Sequence, residues 1–223
     1  MRRDTGRRRI YRSRAVRRRR SVFAVFIVAV CIVVALAGVV LAAGQSGGRT
    51  RERVTYDRSA AAAYADQWAL GNNPRYWSSP DNDCANFVSQ CLAAGGLRPL
   101  NDPGVEWYAN ATELPTIAWV NCVAQRRALA ARAGIHTRYI ARSTRRLPRG
   151  WAAGDVVYLG NTIDGKDEWQ HVIICVGKTG GTWVYDSHTA AHLRQPLEVW
   201  YPEHFSLVRY CHVADAVSYA EGD

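Results

Sequence analysis

The chain has 223 residues, of which 48% are apolar, and it contains 8 Trp and 11 Tyr. This length accommodates one ordinary domain with appendages, and the composition supplies a core, which excludes a disordered chain. The formal net charge of +10 is concentrated at one end, because residues 1–20 hold eleven of the 29 basic residues and one of the 19 acidic residues. The rest of the chain carries eighteen charges of each sign, so its charge gives no indication of a nucleic-acid partner.

An uncharged apolar run covers residues 22–43 and follows directly on the Arg-rich residues 1–20. As a helix it is about 33 Å long, which matches a bilayer core of about 30 Å. By the positive-inside rule the Arg-rich tail stays in the cytoplasm. We therefore expect a signal anchor at residues 21–44, with the following domain outside the cell membrane. The alternative is a signal peptide cut near residues 35–37, which gives a secreted domain.

Residues 45–55 are rich in Gly, Ser and Arg and are predicted to form a linker to a domain at residues 56–215. Asp57 or Ser59 is a suitable N-cap for a helix through residues 61–70. A second helix is predicted to begin at Cys84, with an N-cap oxygen from Asp83 or Asp81. Its apolar positions recur at helical spacing until the glycines at 95 and 96 end it.

Residues 97–117 are predicted to be irregular, and a third helix is predicted over residues 120–133. Beyond Gly150 the sequence favours strands, since β-branched and aromatic runs alternate with turn residues. The strands are predicted at residues 155–159, 171–176, 182–188 and 206–213, with a hairpin turn at 178–181. Helices followed by antiparallel strands predict an α+β domain in which N-terminal helices pack on an antiparallel sheet.

Five cysteines lie beyond the apolar span: Cys84, Cys91, Cys122, Cys175 and Cys211. In an oxidising compartment an odd number suggests two disulfides and one free thiol, although the sequence does not set their pairing. Buried thiols that behave as small apolar side chains are the equally plausible alternative.

Cys84 is the first candidate for chemistry, because a thiol in the first turn of a helix lies at the positive end of the backbone dipole. That position favours the thiolate, which is the nucleophilic form. His171 opens a strongly apolar strand after a polar run, where its ring can face a cleft. On the next strand Asp186 and His188 share a face, and either could accept a hydrogen bond from the far nitrogen of His171.

The run DCANFVSQCLAAGG at residues 83–96 resembles the signature of the bacterial putative amidase domain family. Residues 56–77 are similar to the first helix of that family, and GDVVYL (154–159), QHVIICV (170–176) and SHT (187–189) are similar to its later strands. The order of Cys, His and a polar residue also resembles the papain-like cell-wall hydrolases of the NlpC and CHAP groups. One departure is Ala85, where the family usually has Thr.

The resemblance implies a papain-like fold and hydrolysis of amide bonds, often in cell-wall peptides, without a cofactor or metal. It assigns Cys84 as nucleophile and His171 as base, and it favours His188 over Asp186 as the third residue. The oxyanion would be held by the Cys84 backbone N–H and a donor from the preceding loop, for which Asn82 and Tyr76 are the candidates.

Two other functions fit the sequence less well. A zinc hydrolase could use His171, His188 and His192, although the spacing lacks the glutamate of the metalloprotease motif. A cell-wall binding module could keep the fold without activity and stack sugars on its aromatic residues, for which the candidates are Tyr76, Trp77, Trp107, Trp151 and Trp169.

Overall fold

A computed structural model describes residues 51–101, 104–109, 114–131, 133–140 and 147–220. A boundary between two units falls after Arg49, and all the described residues belong to the second unit. The predicted Arg-rich tail and the predicted span at residues 22–43 lie outside the described residues. Within the described ranges, no helix combines the length and apolar character required to cross a membrane.

The helices begin largely where the sequence predicts them, since the first spans α1 (Arg58–Trp68) and the second α2 (Cys84–Ala94). Asp57 caps α1 by accepting a hydrogen bond from the backbone N–H of Ala60. The predicted third helix at residues 120–133 is shorter, α4 (Cys122–Ala130), and an unpredicted short helix, α3 (Ile117–Val120), precedes it. The backbone of Asn121 is extended between them, and its side chain caps α4 by accepting from two backbone N–H groups.

Seven strands form one antiparallel sheet in the order β1-β7-β3-β4-β5-β6, with β2 paired to β7 as well. The domain is therefore α+β, as predicted. The strands are β1 (Arg51–Thr55), β2 (Ala133–Ile140), β3 (Val156–Ile163), β4 (Lys166–Thr179), β5 (Thr182–Ser187), β6 (His192–Pro196) and β7 (Leu207–Ala220).

Three strands (β1, β2 and β6) were not predicted. Of the predicted linker at residues 45–55, residues 51–55 form β1, and residues 45–50 lie outside the described residues. Both β1 and β2 pair with β7, which extends to Ala220 and so beyond the predicted domain end at residue 215. Residues 51–55 are rich in charge and lack apolar alternation, so they form a strand because β7 offers a paired edge. The predicted hairpin at 178–181 is confirmed, since Thr179 pairs with Thr182 around two glycines of positive φ.

The sheet separates two apolar clusters. The helix-side core joins α1, α2 and α4 to one face of the sheet and includes Cys84, Phe87, Tyr158, Val172 and Ile174. The far-side core covers the opposite face and consists of Trp151, Val157, Leu159, Ile173, Cys175, Tyr185, Leu197, Trp200, Val208 and Tyr210. Successive side chains of β3 and β4 alternate between the two clusters, as the pleat of a strand requires.

All five cysteines of the described residues are buried free thiols. The structure thus has the second arrangement that the sequence left open, in which the thiols pack as apolar side chains. Cys84 and Cys91 lie on α2, Cys122 opens α4, and Cys175 and Cys211 lie in the middle of strands.

Candidate active site

Cys84 begins α2 as predicted, but its side chain is only 3% exposed and packs in the helix-side core. The Cys84 thiol interacts with the backbone N–H of Val172 and, electrostatically, with the thiol of Cys122. Burial, reinforced by the Cys122 thiol, raises the pKa of Cys84 to about 12. The thiol is therefore protonated at neutral pH in this conformation, because the N–H of Val172 offsets little of the cost of burying a charge.

Asp83 holds the loop before α2, although it does not cap the helix as predicted. Its Oδ1 accepts from the backbone N–H of Ser79 at 2.9 Å and from the side-chain amide of Asn86 at 2.8 Å. Its Oδ2 lies 2.7 Å from Nδ1 of His188. The carboxylate is 4% exposed, so these three bonds replace most of its lost hydration.

His188, the preferred third residue, binds the start of α2 instead of His171. Its Nδ1 meets Asp83 and its Nε2 lies 2.8 Å from the carbonyl oxygen of Trp68. Both ring nitrogens therefore face oxygen atoms of the domain, one on the carboxylate of Asp83 and one on the backbone of Trp68. The ring also stacks on Phe87, with 4.1 Å between the centroids. His188 is thus a buried partner of Asp83 that joins β5 to both α1 and α2.

The hydroxyl of Thr189 performs the capping that was predicted for Asp83. Its Oγ1 accepts from the backbone N–H of Asp83 at 2.7 Å and from that of Cys84 at 3.1 Å. The φ of Thr189 is +58°, which is unusual for a β-branched residue. The Cys84 N–H, predicted as an oxyanion donor, is therefore engaged by a side chain of the same domain.

The other two predicted oxyanion residues do not reach Cys84 through any hydrogen bond among the described residues. Asn82 is exposed on the loop before α2. Tyr76 stacks on Trp119 with 6.0 Å between the ring centroids and contributes to the helix-side core. Asn82 is therefore an exposed loop residue, and Tyr76 is a packing residue of the helix-side core.

His171 lies on β4 but faces away from Cys84. It pairs directly with Leu159, a member of the far-side core, and opposed residues of an antiparallel pair share a face. Its ring stacks on Phe205, which packs against the same cluster, with 5.8 Å between the centroids. The structure thus brings the strand of His171 to Cys84 through Val172 and places the imidazole on the opposite face.

A β-bulge explains the orientation of His171. Leu159 pairs with His171 and Gly160 pairs with Trp169, so Gln170 has no partner on β3. The extra residue reverses the alternation of side chains along β4. Gly160 fits this bulge closely, because a Cβ at that position would lie 2.1 Å from the carbonyl oxygen of Glu168.

Asp186 lies on the helix side of the sheet and so does not meet His171 either. Its Oδ1 accepts from the backbone N–H of Arg194 at 2.6 Å, while Oδ2 is buried without a partner. Burial, with a further contribution from the Asp66 carboxylate, raises the pKa of Asp186 to about 7. Neither predicted orienting residue is therefore a partner of His171 in this conformation.

His171 is expected to make the domain sensitive to acid. Burial, and secondarily His192, lowers the pKa of His171 to about 4, and its Nε2 is buried without a partner. The unfolded chain binds a proton below pH ~6.5, whereas the folded chain resists it until about pH 4. The contribution to stability is complete above that unfolded pKa and is lost as the pH falls through the folded one.

The variant His171→Phe keeps a ring of similar size and removes this titration. Between pH 7 and pH 4, the wild type should lose on the order of 3 kcal/mol more unfolding free energy than the variant. Urea unfolding at several pH values measures the difference. Equal acid sensitivity in the two proteins would contradict the buried, unpaired position of the ring.

The three histidines of the zinc hypothesis do not converge. His188 binds Asp83 on the helix side, whereas His171 and His192 contact Phe205 and Trp200 of the far side. Across the described ranges, no cluster of three or more His, Cys, Asp or Glu residues is arranged to hold a metal ion. The residues present therefore do not fit a zinc centre.

Sequence reasoning missed Thr189 and Cys122 as neighbours of Cys84. Among residues 187–189 the sequence points only to His188, whereas the neighbouring Thr189 hydroxyl is the group that hydrogen-bonds to the start of α2. Cys122 donates to the carbonyl oxygen of Trp169 at 3.4 Å, next to the bulge of β4. The start of each helix, α2 and α4, therefore contacts the same stretch of β4.

Comparison with known proteins gives a family for this arrangement. The model of the putative amidase domain matches residues 55–208, which is more than half of the chain. An uncharacterized Bacillus subtilis (strain 168) protein, YhbB, is 30% identical over 129 residues, which cover 56% of this chain and 39% of that protein. A second uncharacterized protein of the same strain, YjcM, is 36% identical over 86 residues, covering 39% of this chain and 19% of that protein.

No solved structure gives a significant match. The matched segments span well under half the length of the two curated relatives. The family match includes the loop of Asp83, the start of α2 at Cys84, the bulge of β4 and the turn at Thr189. The chain therefore belongs to the putative amidase domain family.

Proposed function

We propose that this chain is a cysteine amidase or peptidase of papain-like fold, in which Cys84 is the nucleophile and His171 the base. The family named for amidase activity supports hydrolysis of amide bonds. We further propose that residues 22–43 anchor the chain in the cell membrane, that the domain lies outside the cytoplasm, and that its substrates are peptides, with cell-wall peptides as the favoured class.

The observation that carries the proposal is the contact between the start of α2 and β4. Cys84 is the first residue of α2, and the backbone N–H of Val172 lies at its sulfur. His171 is the neighbouring residue on that strand. The direction of the His171 side chain separates this arrangement from a thiol beside an imidazole, which is what a cysteine hydrolase requires.

We infer that the described conformation is a resting form. If the unpaired position moves from Gln170 to His171, then His171 is released from Leu159 and its ring can turn to the face of Val172 and Cys84. The resting position of the ring is costly, because its buried Nε2 has no partner. A small rearrangement of β4 on substrate binding would then assemble the pair.

In the assembled form His171 takes the proton of Cys84, and the resulting thiolate attacks the amide carbonyl carbon. The C–N bond breaks as His171 returns that proton to the leaving amine, which leaves a thioester on Cys84. Water, deprotonated by His171, then hydrolyses the thioester to the acid and restores the thiol. The Cys84 N–H stabilises the oxyanion once the hydroxyl of Thr189 has moved from it.

Alkylation by iodoacetamide, followed residue by residue with mass spectrometry across pH, tests this proposal. A fraction of molecules with an assembled pair makes Cys84 react below the ordinary thiol pKa of about 8.5. His171→Ala should then slow Cys84 alkylation near pH 7 by about tenfold or more, since the thiolate is no longer held as an ion pair. His204→Ala, at an exposed position, is the matched control and should leave the rate unchanged.

A binding module without activity is the second candidate, and the orientation of His171 together with the raised pKa of Cys84 favours it. Of the aromatic residues considered for sugar stacking, Trp107, Trp151 and Trp169 are buried, whereas Trp77 is 45% exposed. If Cys84 alkylation is slow at neutral pH and indifferent to His171→Ala, the second candidate replaces the first.

A further inference from the structure

The hairpin of β5 and β6 contacts the start of α2 through the turn between its two strands. At this turn the Thr189 hydroxyl accepts from the backbone N–H groups of Asp83 and Cys84. Thr189, Ala190 and Arg194 have φ values of +58°, +67° and +50°, in the left-handed region that residues other than glycine rarely adopt. Strained residues of this kind persist only where surrounding contacts hold them. The position of the turn therefore depends on contacts between the hairpin and the helices.

Arg194 makes the contact that fastens β6 to α1. Its Nε donates to Oδ1 of Asp66 at 2.7 Å and its Nη2 donates to Oδ2, so the ion pair is bidentate. The backbone N–H of Arg194 donates to Oδ1 of Asp186 at 2.6 Å. This single residue of β6 thus binds one carboxyl group of α1 and one of β5.

The two carboxyl groups that Arg194 binds also contact each other, since Asp66 lies within hydrogen-bonding reach of Asp186. An ionised carboxylate only accepts, so a hydrogen bond between the two requires a proton on one of them. Asp186 is fully buried with its Oδ2 unpartnered, which disfavours a charge there. Burial first, and then the Asp66 carboxylate, raises the pKa of Asp186 to about 7, so Asp186 holds the proton at weakly acidic pH.

The charged and titratable groups that face Asp186 from other elements lie on α1, α2 and β6. Asp66 of α1 disfavours the ionised form of Asp186, and the Arg194 guanidinium of β6 favours it. The Cys91 thiol of α2 stays neutral, because burial raises its pKa. On the strand of Asp186, His188 directs both ring nitrogens to other partners. Asp66 is 28% exposed, so it connects the buried carboxyl group to protons of the solvent.

We propose that a proton shared by Asp66 and Asp186 fastens the hairpin to the helices, and that loss of this proton as the pH rises releases the Thr189 hydroxyl from the start of α2. Without the proton, two negative charges repel each other beside Arg194, and the strained turn relaxes. This pH-dependent contact goes beyond the proposed function. It would set the pH at which the Cys84 N–H becomes available to another acceptor.

Hydrogen exchange at the backbone N–H groups of Asp83 and Cys84 measures the release in the full-length protein, with mass-spectrometric fragmentation to resolve single residues. Protection factors remove the intrinsic pH dependence of exchange. In the closed hairpin Asp186 has a pKa of about 7, whereas an open hairpin gives it the ordinary value of about 3.9. The proton therefore stabilises the closed form fully below the lower value, and this stabilisation is lost as the pH rises through the higher one. Both protection factors should fall about tenfold between about pH 5.5 and pH 8.

Asp186→Asn keeps the shape of the side chain and stays neutral at every pH, so both protection factors should remain constant over this range. Asp81→Asn, at an exposed position on the loop before α2, is the matched control and should keep the pH dependence of the wild type. The same pH dependence should persist in Cys84→Ala, which retains the backbone N–H and lacks the thiol. Failure of the proposed thiol chemistry would therefore leave this result unchanged.

Three results would overturn the proposal. Equal protection at both pH values, or the same pH dependence in wild type and Asp186→Asn, would mean that the proton does not control the hairpin. A parallel loss of protection at Ile173, in the middle of β4, would mean that the proton stabilises the whole domain and not the hairpin alone.

Discussion

Replacing Cys84 with alanine is expected to abolish amide hydrolysis. The proposed mechanism forms its covalent intermediate on this sulfur, and alanine has no group to take its place. Loss of a catalytic nucleophile lowers kcat by a factor of about 10⁴ or more, down to what binding and the remaining polar groups supply. Release of free amine from a peptide substrate, measured with equal amounts of folded wild type and variant, gives the ratio.

Cys91→Ala is the matched control, because Cys91 lies on the same helix two turns further on and is fully buried. Both variants leave a small cavity and should lower the free energy of unfolding by about 1 kcal/mol or somewhat more. Only Cys84→Ala should lose turnover. Retained activity in Cys84→Ala would remove thiol chemistry from the proposal while leaving family membership unaffected.

Replacing Asp83 with alanine is expected to destabilise the domain by about 3–5 kcal/mol, because it leaves the buried Nδ1 of His188 and two further buried groups without a hydrogen-bond partner. The change also removes the acceptor for the Ser79 N–H and the Asn86 amide. Chemical denaturation at pH 7 measures the loss as a shift of the midpoint at constant slope.

Asp81→Ala tests whether the effect belongs to the buried pair. Asp81 is exposed on the same loop, and surface changes of this kind usually stay within about 0.5 kcal/mol. A double-mutant cycle with Asp83→Asn and His188→Asn should show strong coupling, since the two side chains are direct hydrogen-bond partners. Additive losses would mean that the 2.7 Å contact between Asp83 and His188 contributes little.

The position of Cys84 could be predicted from the sequence because local signals agree. The apolar spacing of α2, the polar loop before it and the glycines after it all place the helix start at residue 84. The chemistry of its surroundings depends on contacts between residues far apart in the chain. Asp83 appeared to be the capping residue, whereas the cap comes from Thr189, more than a hundred residues later.

The direction of the His171 side chain could not be predicted, since one unpaired residue decides it. The pattern of apolar residues from Trp169 to Val176 is compatible with a strand that has a bulge at Gln170 and equally with one that has none. Alternation along a regular strand does not tell which face of the sheet a given side chain points to. The bulge at Gln170 then reverses the alternation, so that His171 points to the opposite face. The same limitation explains why strand alternation alone did not decide between Asp186 and His188 as the residue that orients His171.

The missed strands have a related cause. Residues 51–55 and 133–140 carry few of the local marks of a strand, and they become strands because β7 presents a free edge to each. Strand propensity depends strongly on context, so a segment of ordinary composition pairs when a suitable neighbour exists.

The burial of all five described cysteines as free thiols also affects how the domain unfolds. Among the described residues no disulfide restricts the unfolded state, so unfolding of the domain exposes these five thiols to one another. In air these thiols would form random disulfides within and between chains. Protein heated without reductant would therefore not recover the spectroscopic signal of its folded state on cooling. The same protein in a reducing buffer should refold, so the apparent reversibility of its melting depends on the thiol chemistry of the solvent.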